Sequence, residues 1–189
     1  SAETGGAWST SGTASNYSVA NGVARLSTAQ GSSRTAFLNA VSSADTDVQT
    51  TVSFTRPASG SAYVGVVGRR VGSIDYRTRA VISSTGSVQL QVQNTGTTLQ
   101  SATIPGLTFA TGDRLVFRMQ VTGTSPTTLR AKVWKAGTTE PAAWQITRTD
   151  TTAGLQSAGS IGVHSYFSSG GTVSPLVVSF DDLTAKPTA

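Results

Sequence analysis

The chain has 189 residues, enough for one domain with a proper core and too few for two comfortable ones. It has no cysteine, which excludes disulfides, thiolate metal sites and cysteine catalysis, and its single histidine excludes any two-histidine metal site. Charged residues make up only 12% of the chain, yet the formal net charge is +5, which points to an anionic partner.

Nucleic acid is set aside as that partner, because neither a dense basic patch nor a recognisable motif accompanies the charge. No apolar run approaches the roughly 18 residues of a membrane span. No charged-then-apolar leader opens the chain either, so a secretion signal is expected to lie outside it.

In chain order, alternating segments of strand length recur every 8 to 14 residues or so between Gly, Ser, Asn and Pro, and helical periodicity is hard to find. Residues 1–15 are rich in Gly, Ser and Thr, with Trp8 as the one anchor. Residues 17–26 read as a hairpin turning at Asn21-Gly22, and 34–38 as a short strand. Residues 47–55 set Val48, Thr50, Val52 and Phe54 against Gln49, Thr51 and Ser53. Residues 63–93 read as a three-stranded meander.

The last hairpin of that meander turns at Ser84-Thr85-Gly86. A three-residue loop with Gly in the left-handed position predicts the pairs Ile82–Val88, Ala80–Leu90 and Thr78–Val92 on one face. The other face then carries Val81–Gln89, Arg79–Gln91 and Arg77–Gln93, and Tyr76 points inward. A two-residue loop would slip the register and scramble both faces. If Arg70 pairs with Tyr76 across the preceding turn, Arg69 lies beside Arg77. Further on, residues 97–104, 114–121, 128–135, 144–147, 160–167 and 176–183 complete the strands. Pairing Val121 with Leu129 aligns Gln120 with Arg130, Arg118 with Lys132 and Val116 with Trp134, so a second basic face emerges from the same arithmetic. The domain is expected to span residues 1–185, with 186–189 starting a linker.

Arg69, Arg77 and Arg79, with Gln89, Gln91 and Gln93, form the candidate ligand plate. Arg grips carboxylates with a planar fork, and Gln offers hydroxyls both a donor and an acceptor. Tyr63, His164 and Tyr166 are its candidate flanking residues. The bland reading makes the arginines a solubilising sheet face or partners of Asp75, and His164 an ordinary solvent-facing or partly buried histidine. Asp181-Asp182 reads either as a solvated edge or, with Glu3, Asp45 or Asp47, as oxygen ligands for one Ca2+. No other cofactor is expected.

Several segments together resemble the concanavalin A-like, laminin G-like modules of secreted or surface proteins of high-GC Gram-positive bacteria. They are residues 63–70 and 75–79, residues 129–134 with Thr138-Thr139-Glu140-Pro141 and Trp144, Ser160-Ile161-Gly162-Val163, and Val178-Ser179-Phe180-Asp181-Asp182-Leu183. The resemblance implies an all-β jelly-roll β-sandwich of two antiparallel sheets, one of them concave, often with a structural calcium. It places the strand at 76–82 in the concave sheet, which favours that basic face over the one at Arg118, Arg130 and Lys132. Glucanases of this fold carry a Glu-x-Asp-x-x-Glu-type strand where Asp75-Tyr76-Arg77-Thr78-Arg79 stands here, which argues against a retaining glycosidase.

The fold also hosts alginate-type polysaccharide lyases. Ser33-Arg34-Thr35-Ala36-Phe37-Leu38 is similar to their arginine strand, and Tyr166-Phe167-Ser168-Ser169-Gly170 to their tyrosine strand. Their Gln-x-His strand has no counterpart, because Leu90-Gln91-Val92-Gln93 carries no histidine. The favoured expectation is an extracellular, non-catalytic carbohydrate-binding module, monomeric within a longer chain, that binds an acidic polysaccharide without turnover. The alternatives are a lyase of uronic-acid polymers using Arg34, His164 and Tyr166, and a structural spacer or protein-interaction module.

Overall fold

The computed structural model describes residues 6–172 and 175–188. In chain order its strands are β1 (Ser9–Thr10), β2 (Tyr17–Ala20), β3 (Val23–Thr28), β4 (Ser33–Ser43), β5 (Thr46–Ser53), β6 (Ser61–Val71) and β7 (Ile74–Ser83). There follow β8 (Ser87–Asn94), β9 (Thr97–Thr108), β10 (Leu115–Thr122), β11 (Thr127–Lys135), β12 (Ile146–Asp150), β13 (Gly159–Phe167) and β14 (Leu176–Lys186). Two seven-stranded sheets result, in the orders β1-β4-β13-β6-β7-β8-β9 and β12-β11-β10-β5-β14-β3-β2. The described strand pairings between named strands are antiparallel. This is the expected jelly-roll β-sandwich.

Alternation explains the layers. Val64, Val66, Ala80, Ile82, Leu90 and Val92 of the first sheet meet Val48, Val52, Leu115, Phe117, Met119 and Val133 of the second in one buried core. Phe54 stacks on Phe109 at 4.4 Å between ring centroids. The β7–β8 register is the predicted one at every pair, from Ile82–Val88 to Arg77–Gln93. Gly86 has φ +87°, and a Cβ there would sit 2.5 Å from the Phe109 carbonyl oxygen, so both conformation and space require glycine. The β10–β11 register is also as predicted.

The first hairpin of the meander departs from expectation. The register shifts between Val67 and Arg69, so Arg69 pairs with Tyr76 and Arg70 with Asp75. Gly68 is the extra residue of a β-bulge, and beyond it the two arginines exchange faces. A side chain on Gly68 would meet Val121 and Met119 of the core at 2.5 and 3.1 Å. At the other end of the chain, β14 runs through Lys186, which pairs with Asp47, so the strand continues into the stretch read as a linker.

Candidate functional site

The outer face of the first sheet presents three rows of side chains that run across the strands. The middle row is Thr35, His164, Gly65, Arg79, Gln91 and Ser101. On one side of it lie Ser33, Tyr166, Tyr63, Val81, Gln89 and Thr103, and on the other Phe37, Gly162, Val67, Arg77, Gln93 and Thr98. Arg77, Arg79, Gln89, Gln91, Tyr63, His164 and Tyr166 therefore share one surface. Gly65 stands between His164 and Arg79. A Cβ there would lie 2.0 Å from the Thr78 carbonyl oxygen, so the close approach of β6 and β7 demands glycine.

Arg79, in the middle row, carries a charge that no described carboxylate neutralises. Its Nε donates to Gln91 Oε1 at 2.9 Å, and its guanidinium lies 4.6 Å from the centroid of the Tyr63 ring. Gln91 passes the polarity on, donating through Nε2 to Gln89 Oε1 at 2.9 Å. Among the described residues no carboxylate pairs with Arg79, and its two Nη groups are not engaged. Burial pulls its proton affinity below the ordinary arginine value. Tyr63 raises it, Arg77 lowers it further, and Tyr166 raises it. Arg77, in contrast, is tied to the carboxylate of Asp75, with Nε 2.6 Å from Oδ1 and Nη2 on Oδ2.

Tyr63 and Tyr166 meet edge to face, 5.2 Å between centroids, and no described residue hydrogen-bonds either hydroxyl. His164 lies deeper, 2% exposed. Its Nε2 is 3.2 Å from Ser33 Oγ, while Nδ1 is buried without a partner. Burial, and after it the charges of Arg77 and Arg79, hold His164 well below the ordinary histidine range, so it is neutral at pH 7.

A stability prediction follows from this depression. The unfolded chain protonates His164 near pH 6.5, and the folded chain only at lower pH. Between those values the unfolded state holds more protons, so stability is fully present above pH 6.5 and falls on acidification. Melting temperature is expected to decline from pH 7 to about 5, above most carboxylate titration. The His164→Gln variant should flatten that slope. Equal slopes in the two proteins would contradict the assignment.

The other sequence-derived candidates are buried or turned away from that surface. Arg69 is not in the plate: it is 0% exposed and points into the molecule, where Nη1 donates to Thr127 Oγ1 at 2.8 Å and to the Leu155 carbonyl at 2.9 Å. Arg34 does not join His164 and Tyr166. It pairs with Ser165, whose Oγ bonds Thr28 inside the sandwich, so Arg34 belongs to the opposite face of the sheet. Gln93 is fully buried, and its amide nitrogen is spent on Thr98 Oγ1 at 3.0 Å and the Gly96 carbonyl at 3.3 Å.

On the second basic face two of the three cations, Arg118 and Lys132, are neutralised. Arg118 bonds Asp47 at 2.6 Å and Glu140 at 2.6 Å, Lys132 bonds Glu140 at 2.6 Å, and both cations lie against the Trp144 ring. Burial alone would raise the Asp47 carboxyl, but hydrogen bonds from Arg118 and Gln120 hold it below its ordinary value.

The donor set suggested for calcium fits poorly. Arg114 lies 3.0 Å from Asp181 and 3.6 Å from Asp182, Glu3 is outside the described residues, and among those described no three acidic, histidine or cysteine residues cluster. A cavity of about 870 Å³ lined by Trp8, Val19, Leu26, Leu38, Val163 and Phe180 opens at the sandwich edge, away from the rows.

No protein-family model matches the sequence, and no curated protein matches it. Solved structures do. The alginate lyase Aly36B, in a variant bound to alginate tetrasaccharide, superposes with a TM-score of 0.63 at 11% identity, over 95% of this chain and 86% of that one. The PL-14 alginate lyase of Aplysia kurodai gives 0.58 at 12% identity, over 92% and 88%. The Family 7 alginate lyase A1-II′, in a variant bound to substrate, gives 0.57 at 14%, over 93% and 83%. Such identities establish a shared fold. Alginate lyases recur among these structures, which counts against the expected non-catalytic binding module and for the lyase alternative taken up below. The CBM2 module of the Lactobacillus casei BL23 phage J-1 evolved Dit shares the fold as well, with a TM-score of 0.53 at 12% identity. Arginine, glutamine, histidine and tyrosine, the four residue types sought from the resemblance, do meet on one face. They come from β7, β8 and β13, with Arg79 in place of Arg34.

Proposed function

We propose that this protein is a polysaccharide lyase that cuts a uronic-acid polymer of the alginate class by β-elimination, on the outer face of its first sheet. The observation that carries this reading is Arg79, a cation with no carboxylate partner among the described residues and with its Nη groups free, set across Gly65 from His164 and beside Tyr63.

Elimination starts at C5 of the uronate, whose proton is acidic only when the neighbouring carboxylate charge is neutralised. A guanidinium fork on that carboxylate supplies the neutralisation and stabilises the charge that builds up as the proton leaves. Arg79 fills this role, while Gln91 and Gln89 hold sugar hydroxyls. His164, across Gly65 from Arg79, takes the C5 proton on Nδ1 of its neutral imidazole. The C5–H electron pair becomes the C4=C5 double bond, the C4–O4 bond breaks, and Tyr166 delivers a proton to O4. The two residues then exchange protons with water. A polymer too large to enter a cell is met outside it, so the site of action is extracellular.

The test is a panel of purified alginate, pectin and a neutral glucan, followed by the absorbance of unsaturated uronides. Product is expected from one or both polyuronates and none from the glucan. Tyr166→Phe is expected to lower the rate at least a hundredfold. No product from either polyuronate would refute the reading.

A further inference from the structure

The bulge at Gly68 has a second consequence: it puts Arg70 on the same outer face as Arg79. The Arg70 guanidinium lies 4.2 Å from the centroid of the Phe37 ring, and its Nη1 is 3.4 Å from Asn39 Oδ1, which Ser160 Oγ also approaches at 3.4 Å. Its cross-strand neighbour Asp75 is occupied by Arg77, and no described carboxylate pairs with Arg70. Among the described residues, Arg70, Arg77 and Arg79 thus share this face, and of their charges only that of Arg77 is met by a carboxylate, Asp75.

The Phe37 and Tyr63 rings, which carry Arg70 and Arg79, are two strands and four residues apart across β13, roughly 16 Å by ordinary sheet spacings. One sugar cannot bridge that distance; a chain of them can. The ground between is low. Gly162 and Gly65 carry no side chains, and His164 is buried. A Cβ on Gly162 would come within 2.6 Å of the Phe37 ring, so glycine there lets the ring lie down against β13.

We propose that Arg70, resting on Phe37 and steadied by Asn39, is an outlying subsite for a second carboxylate of the same polyuronate, several sugars from the one held by Arg79. The site then measures chain length: only an oligomer long enough to reach both arginines gains both ion pairs. The inference rests on the polyuronate reading above, but its test reads binding and not turnover.

Alginate oligomers of stepwise increasing length are titrated calorimetrically into a Tyr166→Phe background. Affinity is expected to jump about tenfold once the oligomer spans both sites, the worth of one charge-assisted pair. Arg70→Ala should abolish the jump and leave short-oligomer affinity unchanged, and Arg70→Lys should keep part of it. An affinity that rises smoothly with length, or a jump that survives Arg70→Ala, overturns the subsite. A jump that obeys these rules in a protein whose wild type makes no unsaturated product sustains the subsite and refutes the lyase.

Discussion

Replacing Arg79 by alanine is expected to lower kcat/KM on a polyuronate by two to three orders of magnitude, about 3 to 4 kcal/mol of transition-state stabilisation. The loss should fall mainly on kcat, because the carboxylate gains its extra charge only as the C5 proton leaves. Folding should be little affected. Arg79 is half-buried, its one hydrogen bond to a side chain goes to Gln91, and losing it strands no carboxylate among the described residues. Lysine is expected to restore only a small part of the rate, since a point charge lacks the two-pronged grip of the guanidinium that lies 4.6 Å from the Tyr63 ring centroid. Arg77→Ala should cost less, because Asp75 already neutralises Arg77. Steady-state kinetics of the three variants check this ranking. An Arg77→Ala enzyme weaker than Arg79→Ala would reverse the assignment.

The largest effect on stability belongs to the arginine next in importance, which never meets substrate. Arg69 is fully buried with no carboxylate partner among the described residues, and burial pulls its proton affinity below the ordinary arginine value. It is held by acceptors from separate loops. Nη1 donates to Thr127 Oγ1 and the Leu155 carbonyl, and Nη2 to the Gly123 carbonyl at 2.9 Å and to the Ala44 carbonyl. Its guanidinium also lies 5.9 Å from the centroid of the Tyr76 ring, whose hydroxyl donates to Asp150. Arg69→Met keeps much of the volume and leaves those acceptors without their donor. The expected cost is about 3 to 5 kcal/mol, a fall of roughly 10 °C in melting temperature for a chain of this size. Urea unfolding should show a lower midpoint with an unchanged slope. A loss below about 1 kcal/mol would mean that the loops find other partners.

These two arginines also show what was legible in the sequence. Register inside a hairpin is local: the left-handed Gly86 and the matching of apolar and polar positions sufficed to align β7 with β8 and β10 with β11. The bulge was not legible by the same means. Val66-Val67-Gly68-Arg69-Arg70 has no clean alternation to mark a slip, so Arg69 was assigned the surface position that belongs to Arg70. The isolated glycine in a strand was the available signal.

Long-range order was beyond reach as well. Nothing local tells that β13 inserts between β4 and β6, and that insertion is what sets His164 and Tyr166 opposite Gly65 and Tyr63. The same holds for Asp47 of β5 beside Arg118, the contact that ties up the central cation of the second basic face. Arg34 was singled out for its local sequence. The parity of its pairing with Ser165 turns it to the other face.

The central claim is that this face breaks a uronate chain by elimination. Mass spectrometry of alginate and pectin oligomers after incubation with the wild-type protein tests it most directly. The account predicts fragments whose new non-reducing ends are each one water lighter than a hydrolysis product, formed by the wild type and lost in Arg79→Ala. Intact oligomers, or fragments carrying the full added water, would contradict it.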